Sequence, residues 1–89
     1  MTTPLNPTSK MAAVMRDLLT GHVLTETKAY ARYGIVSLAQ TISRLRARGA
    51  PIQTRLIPFL GPTGNRSRFA EYFIPASALP LAKLQFQTH

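Results

Sequence analysis

Ser37, Gln40, Thr41 and Arg44 recur at three- and four-residue intervals, a spacing that gathers side chains on one side of an α-helix turning about 100° per residue. The set supplies two hydroxyls, a carboxamide and a guanidinium. Such groups suit the edges of stacked bases, because arginine forks onto guanine, glutamine pairs with adenine and a hydroxyl serves either. Arg48 lies on the same side near the end of the stretch, where phosphate is the nearer target. Leu38, Ile42 and Leu45 occupy the opposite side and must face a core. Arg46 falls at the edge of that buried side, where its stem can lie along apolar surface and its charge reach water. Cations are also favoured at helix C-termini. That plainer account covers one or two of Arg44, Arg46 and Arg48 and leaves the lack of any acid from Thr27 to Asn65 unexplained.

A second cationic group follows a turn-rich run. Arg66 and Arg68 flank Ser67 just beyond Gly61-Pro62-Thr63-Gly64-Asn65, and the pair is expected near a loop tip, in reach of a nucleic-acid backbone or minor groove. Lys28, near the start of a helix, can meet flanking phosphates, whereas Lys10 and Arg32 are dispersed. The glycine loop is not a nucleotide cradle. That motif opens into a helix and carries Lys-Ser or Lys-Thr; this loop leads toward a strand and has no lysine.

Catalytic and metal chemistry find no comparable support. The histidines are His22 and His89, and the acids Asp17, Glu26 and Glu71 fall on separate expected elements. Cysteine is absent, which excludes disulfides and thiolate metal sites. No serine or threonine has an evident base partner. The chain is therefore expected to be no enzyme and to use no cofactor.

Eleven Lys and Arg against three acids give a net charge of +8. Even with every acid paired, eight cations would remain, a balance that points to a polyanionic partner. With 89 residues and 45% hydrophobic composition, one small domain is expected. No apolar run approaches the roughly 20 residues that cross a bilayer, and the first residues lack the pattern of a signal peptide. A cytoplasmic location is the expectation.

The elements that must position these groups read as follows. Residues 1–7 form a flexible lead. Thr8 or Ser9 caps a first helix whose stripe is Met11, Val14, Met15, Leu18 and Leu19, with Gly21 as its stop. His22, Val23 and Leu24 make an extended link. Thr25 caps a second helix with Ala29, Tyr30 and Tyr33 on its packing side, ended by Gly34. Ser37 caps a third helix that runs to about Arg48 and stops at Gly49. Two short helices around a glycine-containing turn form a helix-turn-helix pattern. Residues 52–59 and 69–74 then alternate as two strands around the glycine loop, with Ile52, Thr54 and Leu56 sharing one face. Tyr72 and Phe73 read as packing positions too, with no exposed stacking platform. The order, three helices followed by a hairpin, is that of a winged helix.

The run Leu45-Arg46-Ala47-Arg48-Gly49-Ala50-Pro51-Ile52-Gln53-Thr54-Arg55, with Arg68-Phe69-Ala70-Glu71-Tyr72-Phe73-Ile74, resembles small winged helix-turn-helix proteins of bacteriophage, prophage and plasmid genomes. Their pattern is Leu-Arg-x-x-Gly, Ile-x-Thr-Arg, a variable wing, then Ala-x-Tyr-x-Leu; Ile74 stands where the pattern has leucine. Leu24-Thr25 and Tyr33-Gly34-Ile35 match its turn positions, and the likeness spans roughly Lys10 to Ile74. It implies an α+β winged helix-turn-helix fold and DNA binding. Arg55 falls on the pattern's arginine, which binds phosphate or braces the wing.

The expected domain is residues 8–74. The tail, residues 75–89, reads as a short last helix capped by Ser77, with Pro80 in its first turn, or as a dimerising segment. The expected function is sequence-specific binding of double-stranded DNA by a transcriptional regulator, with helix 37–48 in the major groove and wing 61–68 on backbone or minor groove. The alternatives are a protein-interaction module on the same scaffold and an accessory architectural DNA-binding protein in excision or replication. RNA suits it less, because A-form RNA closes its major groove to a helix.

Overall fold

The hydroxyl of Ser9 accepts a hydrogen bond from the Ala12 amide at 3.0 Å and opens helix α1 (Lys10–Leu19). The computed structural model describes residues 9–86; the expected lead 1–7, the alternative cap Thr8, and His89 lie outside the described residues. Val14, Met15 and Leu18 of α1 are fully buried, with Met11 and Leu19 packed at the margin. Helix α2 (Glu26–Tyr33) begins at Thr25, whose hydroxyl accepts from the Lys28 amide at 3.2 Å. It ends at Gly34 with φ 67°, a left-handed turn that a side chain would strain. Ile35 is buried behind that turn, and α3 (Leu38–Ala47) follows at once. The turn between α2 and α3 is short because Gly34 reverses the chain within one residue.

Helices α1 and α2 are joined through one carboxylate. Asp17 accepts from Arg32 at 3.1 Å and from the Tyr33 hydroxyl. The exposed ion pair contributes little, at most about 1 kcal/mol. Burial, and secondly the bond to Asp17, raises the Tyr33 phenol above its ordinary value.

Strands β1 (Gln53–Leu60) and β2 (Arg66–Phe73) pair antiparallel, from Gln53 opposite Phe73 to Leu60 opposite Arg66. Leu24 adds a single-residue third strand on the other edge of β2. Its amide donates to the Tyr72 carbonyl at 2.9 Å, and its carbonyl accepts from the Tyr72 amide at 2.8 Å. The extended link after α1 thus belongs to the sheet. Ile52, Tyr72 and Ile74 are buried, as alternation requires of residues on one face.

The hairpin is longer than its alternation predicts. Pairing extends to Leu60 and resumes at Arg66, which shortens the loop to residues 61–65. Arg66 and Arg68 therefore sit on a strand and not in the loop. Beyond the core, ladder hydrogen bonds and the Phe59–Phe69 ring pair, 5.6 Å between centroids, carry the ribbon outward. The molecule is correspondingly long, 48 × 28 × 20 Å. Leu56, on the same face as Ile52, is 56% exposed.

A 3₁₀ turn (Ala76–Ala78) leads into helix α4 (Leu79–Gln85). Ser77 makes no capping bond; Ala78 is the residue before the helix, and Pro80 sits in the first turn. Ala82 and Phe86 join the core with Val14, Leu18, Leu38, Ile42 and Leu45, and α4 packs on α1. The tail thus contains a helix, and its inner side is part of the core. Tyr30, an expected packing residue, faces solvent. It is 64% exposed, because Ala29 and not its neighbour takes the inward position of α2.

Candidate nucleic-acid interface

Leu38, Ile42 and Leu45 are each completely buried, and they fix which side of α3 looks outward. Gln40 and Arg44 stand exposed on that outward side, in company with Ser43 and Ala47. Thr41 is half-buried on the flank. Ser37 takes the position before the helix, yet its side chain makes no capping hydrogen bond, so the helix does not consume its hydroxyl. Arg48, the residue that closes α3, is exposed.

Two outward residues escaped the reading of the sequence. Ser43 lies three residues from Gln40 and four from Ala47, a relation the helical wheel already contains. Val36 is 85% exposed in the turn just before α3, while its neighbour Ile35 is buried. A dipeptide of two β-branched residues gives no sign of which one points inward. Exposed Val36 and Ala47 present methyl groups, which can meet the thymine methyl in a major groove.

Arg46 differs from the other arginines of α3 because the protein itself holds it. Its Nε donates to the Ile52 carbonyl at 3.0 Å and its Nη2 to the Thr54 hydroxyl at 2.6 Å. The contact ties the last turn of α3 to the root of the hairpin. Register then places Arg66 and Arg68 on the face of the ribbon that includes Thr54, opposite Leu60 and Pro58 respectively. The end of α3 and the root of the hairpin are thus hydrogen-bonded to each other.

Arg55 lies on the other face, 3.0 Å from Glu71 and with its guanidinium 4.9 Å from the centre of the Phe73 ring. Lys28 is exposed in the first turn of α2, with Nζ 3.5 Å from the Val23 carbonyl.

Asp17 is held by Arg32 and Tyr33, and Glu71 by Arg55. Glu26 opens α2, and no acid occurs from Thr27 to Ala70. Among the described residues no acid pairs with Arg44, Arg48, Arg66 or Arg68. Cations without an acidic partner attract a polyanion and speed its approach. Among the described residues no three His, Asp or Glu side chains cluster as metal ligands, and no helix there is long and apolar enough to cross a membrane.

A family model described as a winged helix-turn-helix domain matches residues 10–77, from the first residue of α1 to the 3₁₀ turn. No curated protein matches the chain.

Proposed function

This chain belongs to the winged helix-turn-helix domain family, and from that membership we propose that it binds double-stranded DNA with α3 in the major groove. The observation that carries the reading is the outward side of α3. It is polar, cationic and free of acids, on a helix whose other side is anchored by three fully buried residues. In this reading Ser37, Gln40, Thr41 and Arg44 address base edges, joined by Ser43. Arg48 and Lys28 meet phosphates on either flank, and Arg66 and Arg68 bring the wing to the backbone or minor groove. Arg55 braces the wing through Glu71 and Phe73.

The finer role is that of a sequence-specific transcriptional regulator of the phage or plasmid type, acting on the bacterial nucleoid. Its support is the resemblance in the Leu-Arg-x-x-Gly and Ile-x-Thr-Arg segments. One module contacts few base pairs, so a homodimer on a two-fold site would raise specificity. Leu81 and Leu84, one helical turn apart and exposed on α4, are the apolar pair that supports it.

Fluorescence anisotropy against a random-sequence duplex at two salt concentrations tests the proposal. Binding in the roughly 1–100 μM range expected of non-specific complexes, falling steeply with salt, is the supporting result. Absence of binding at low salt removes it and leaves a protein-interaction module on the same scaffold.

A further inference from the structure

The wing is long, and its distal half exposes apolar side chains on both faces. Leu60 is 71% exposed on the face that carries Arg66 and Arg68, and Phe59 and Phe69 form an exposed ring pair on the other. Pro62 stands exposed at the tip. An isolated ribbon usually keeps itself soluble with charge along its edges, and an apolar cluster left open marks a contact surface. Here the apolar groups are interleaved with cations, and no acid lies between Leu56 and Ala70. The complementary surface is polyanionic outside and apolar within, which describes base pairs stacked between two phosphate rows.

Resting on the DNA-binding reading above, we infer that the tip of the wing is an apolar wedge that enters the minor groove, parts a base step and bends the duplex. Thickness forces the distortion. A strand layer with side chains on both faces occupies about 10 Å, and a relaxed minor groove is only about 6 Å wide. The groove must open for Leu60 and Pro62 to reach the bases, and apolar side chains inserted there unstack a step and kink the helix by roughly 20–90°. Arg66, directly across from Leu60 on the same face, then lies beside the phosphates of the opened groove. An anionic membrane would also accept arginine beside leucine. It would leave unused the amide and hydroxyl groups of Gln40 and Ser43, exposed on the helix that Arg46 ties to the root of the wing.

The test measures bending separately from binding. A duplex labelled at both ends for energy transfer, with 2-aminopurine at successive steps, is titrated with the wild-type chain and with Leu60→Ser. Leu60 is exposed, so circular dichroism should show the variant folded. The expected result is a shortened end-to-end distance and a rise of 2-aminopurine fluorescence with the wild type. Both should be lost with Leu60→Ser, while affinity falls no more than about tenfold. A wild-type complex that binds without bending overturns the wedge and leaves the DNA-binding reading standing. A chain that does not bind DNA at all overturns both. Unchanged bending by Leu60→Ser, with a dimer turned monomer or with loss of binding to anionic vesicles, assigns the apolar tip to a second copy or to lipid and overturns the wedge.

Discussion

Arg46 Nη2 lies 2.6 Å from the Thr54 hydroxyl, so the end of α3 is tied to the root of the wing. With Nε on the Ile52 carbonyl, the guanidinium closes the short link between α3 and β1 from outside. Arg46→Met keeps the stem and removes both bonds. It should cost about 1–2 kcal/mol of unfolding free energy in urea denaturation. A stability equal to wild type would show that the contact positions nothing.

Arg44 has no such internal partner. If it reads a base, Arg44→Ala should weaken binding to a selected target by about 1–3 kcal/mol and relax preference at one position. Competition with point-substituted duplexes measures this directly. An equal loss on every sequence would make Arg44 a phosphate contact.

The wing cations should act without regard to sequence. Replacing Arg66 and Arg68 together by alanine is expected to weaken all duplexes alike and to reduce the logarithmic salt slope by about 2. Arg55→Ala is the comparison, since its charge is engaged with Glu71; its slope should match wild type. A slope unaltered by the double change would place the wing off the DNA.

The helices and the inward side of α3 were legible in the sequence because helical spacing, capping residues and glycine stops agree there. Leu38, Ile42 and Leu45 could be assigned from period alone. What was not legible depends on partners distant in sequence. The pairing of Leu24 with Tyr72 spans 48 positions and leaves no local signal. Strand ends near Leu60 and Arg66 are set by ladder hydrogen bonds outside the core, so alternation of burial could not mark them. Tyr30 could not be told from Ala29 because either neighbour can take the inward position on so short a helix. Val36 posed the same difficulty beside Ile35.

Tyr33 gives the fold a sensitivity to alkali. Its phenol is raised above the ordinary 10.0, first by burial and then by the bond to Asp17. The folded state therefore holds this proton more tightly than the unfolded chain. Its contribution is complete below pH 10 and is lost as pH rises through the raised value. Stability measured in urea should drop more between pH 9 and about 11 for the wild type than for Tyr33→Phe, which has no proton to lose. Parallel curves for the two proteins would dissociate Tyr33 from the alkaline limb.

Helix α4 is expected to be part of the folding unit, and Phe86 is the residue that tests it. Phe86 is 6% exposed and shares the core with Ala82, Val14 and Leu45. Just before it, the Gln85 amide reaches the Gly49 carbonyl at 3.4 Å, where the chain leaves α3. Removing a buried phenyl ring costs about 3–5 kcal/mol, against a total of about 5–15 kcal/mol for a domain. Phe86→Ala should therefore lower the denaturation midpoint sharply, and truncation after Ile74, which also removes Leu79 and Ala82, should abolish the cooperative transition. Leu81→Ser and Leu84→Ser on the exposed side of the same helix should leave the midpoint near wild type. If the truncated chain instead unfolds cooperatively at the wild-type midpoint, α4 contributes nothing to the core. Light scattering on Leu81→Ser and Leu84→Ser then decides whether its outer side joins two copies.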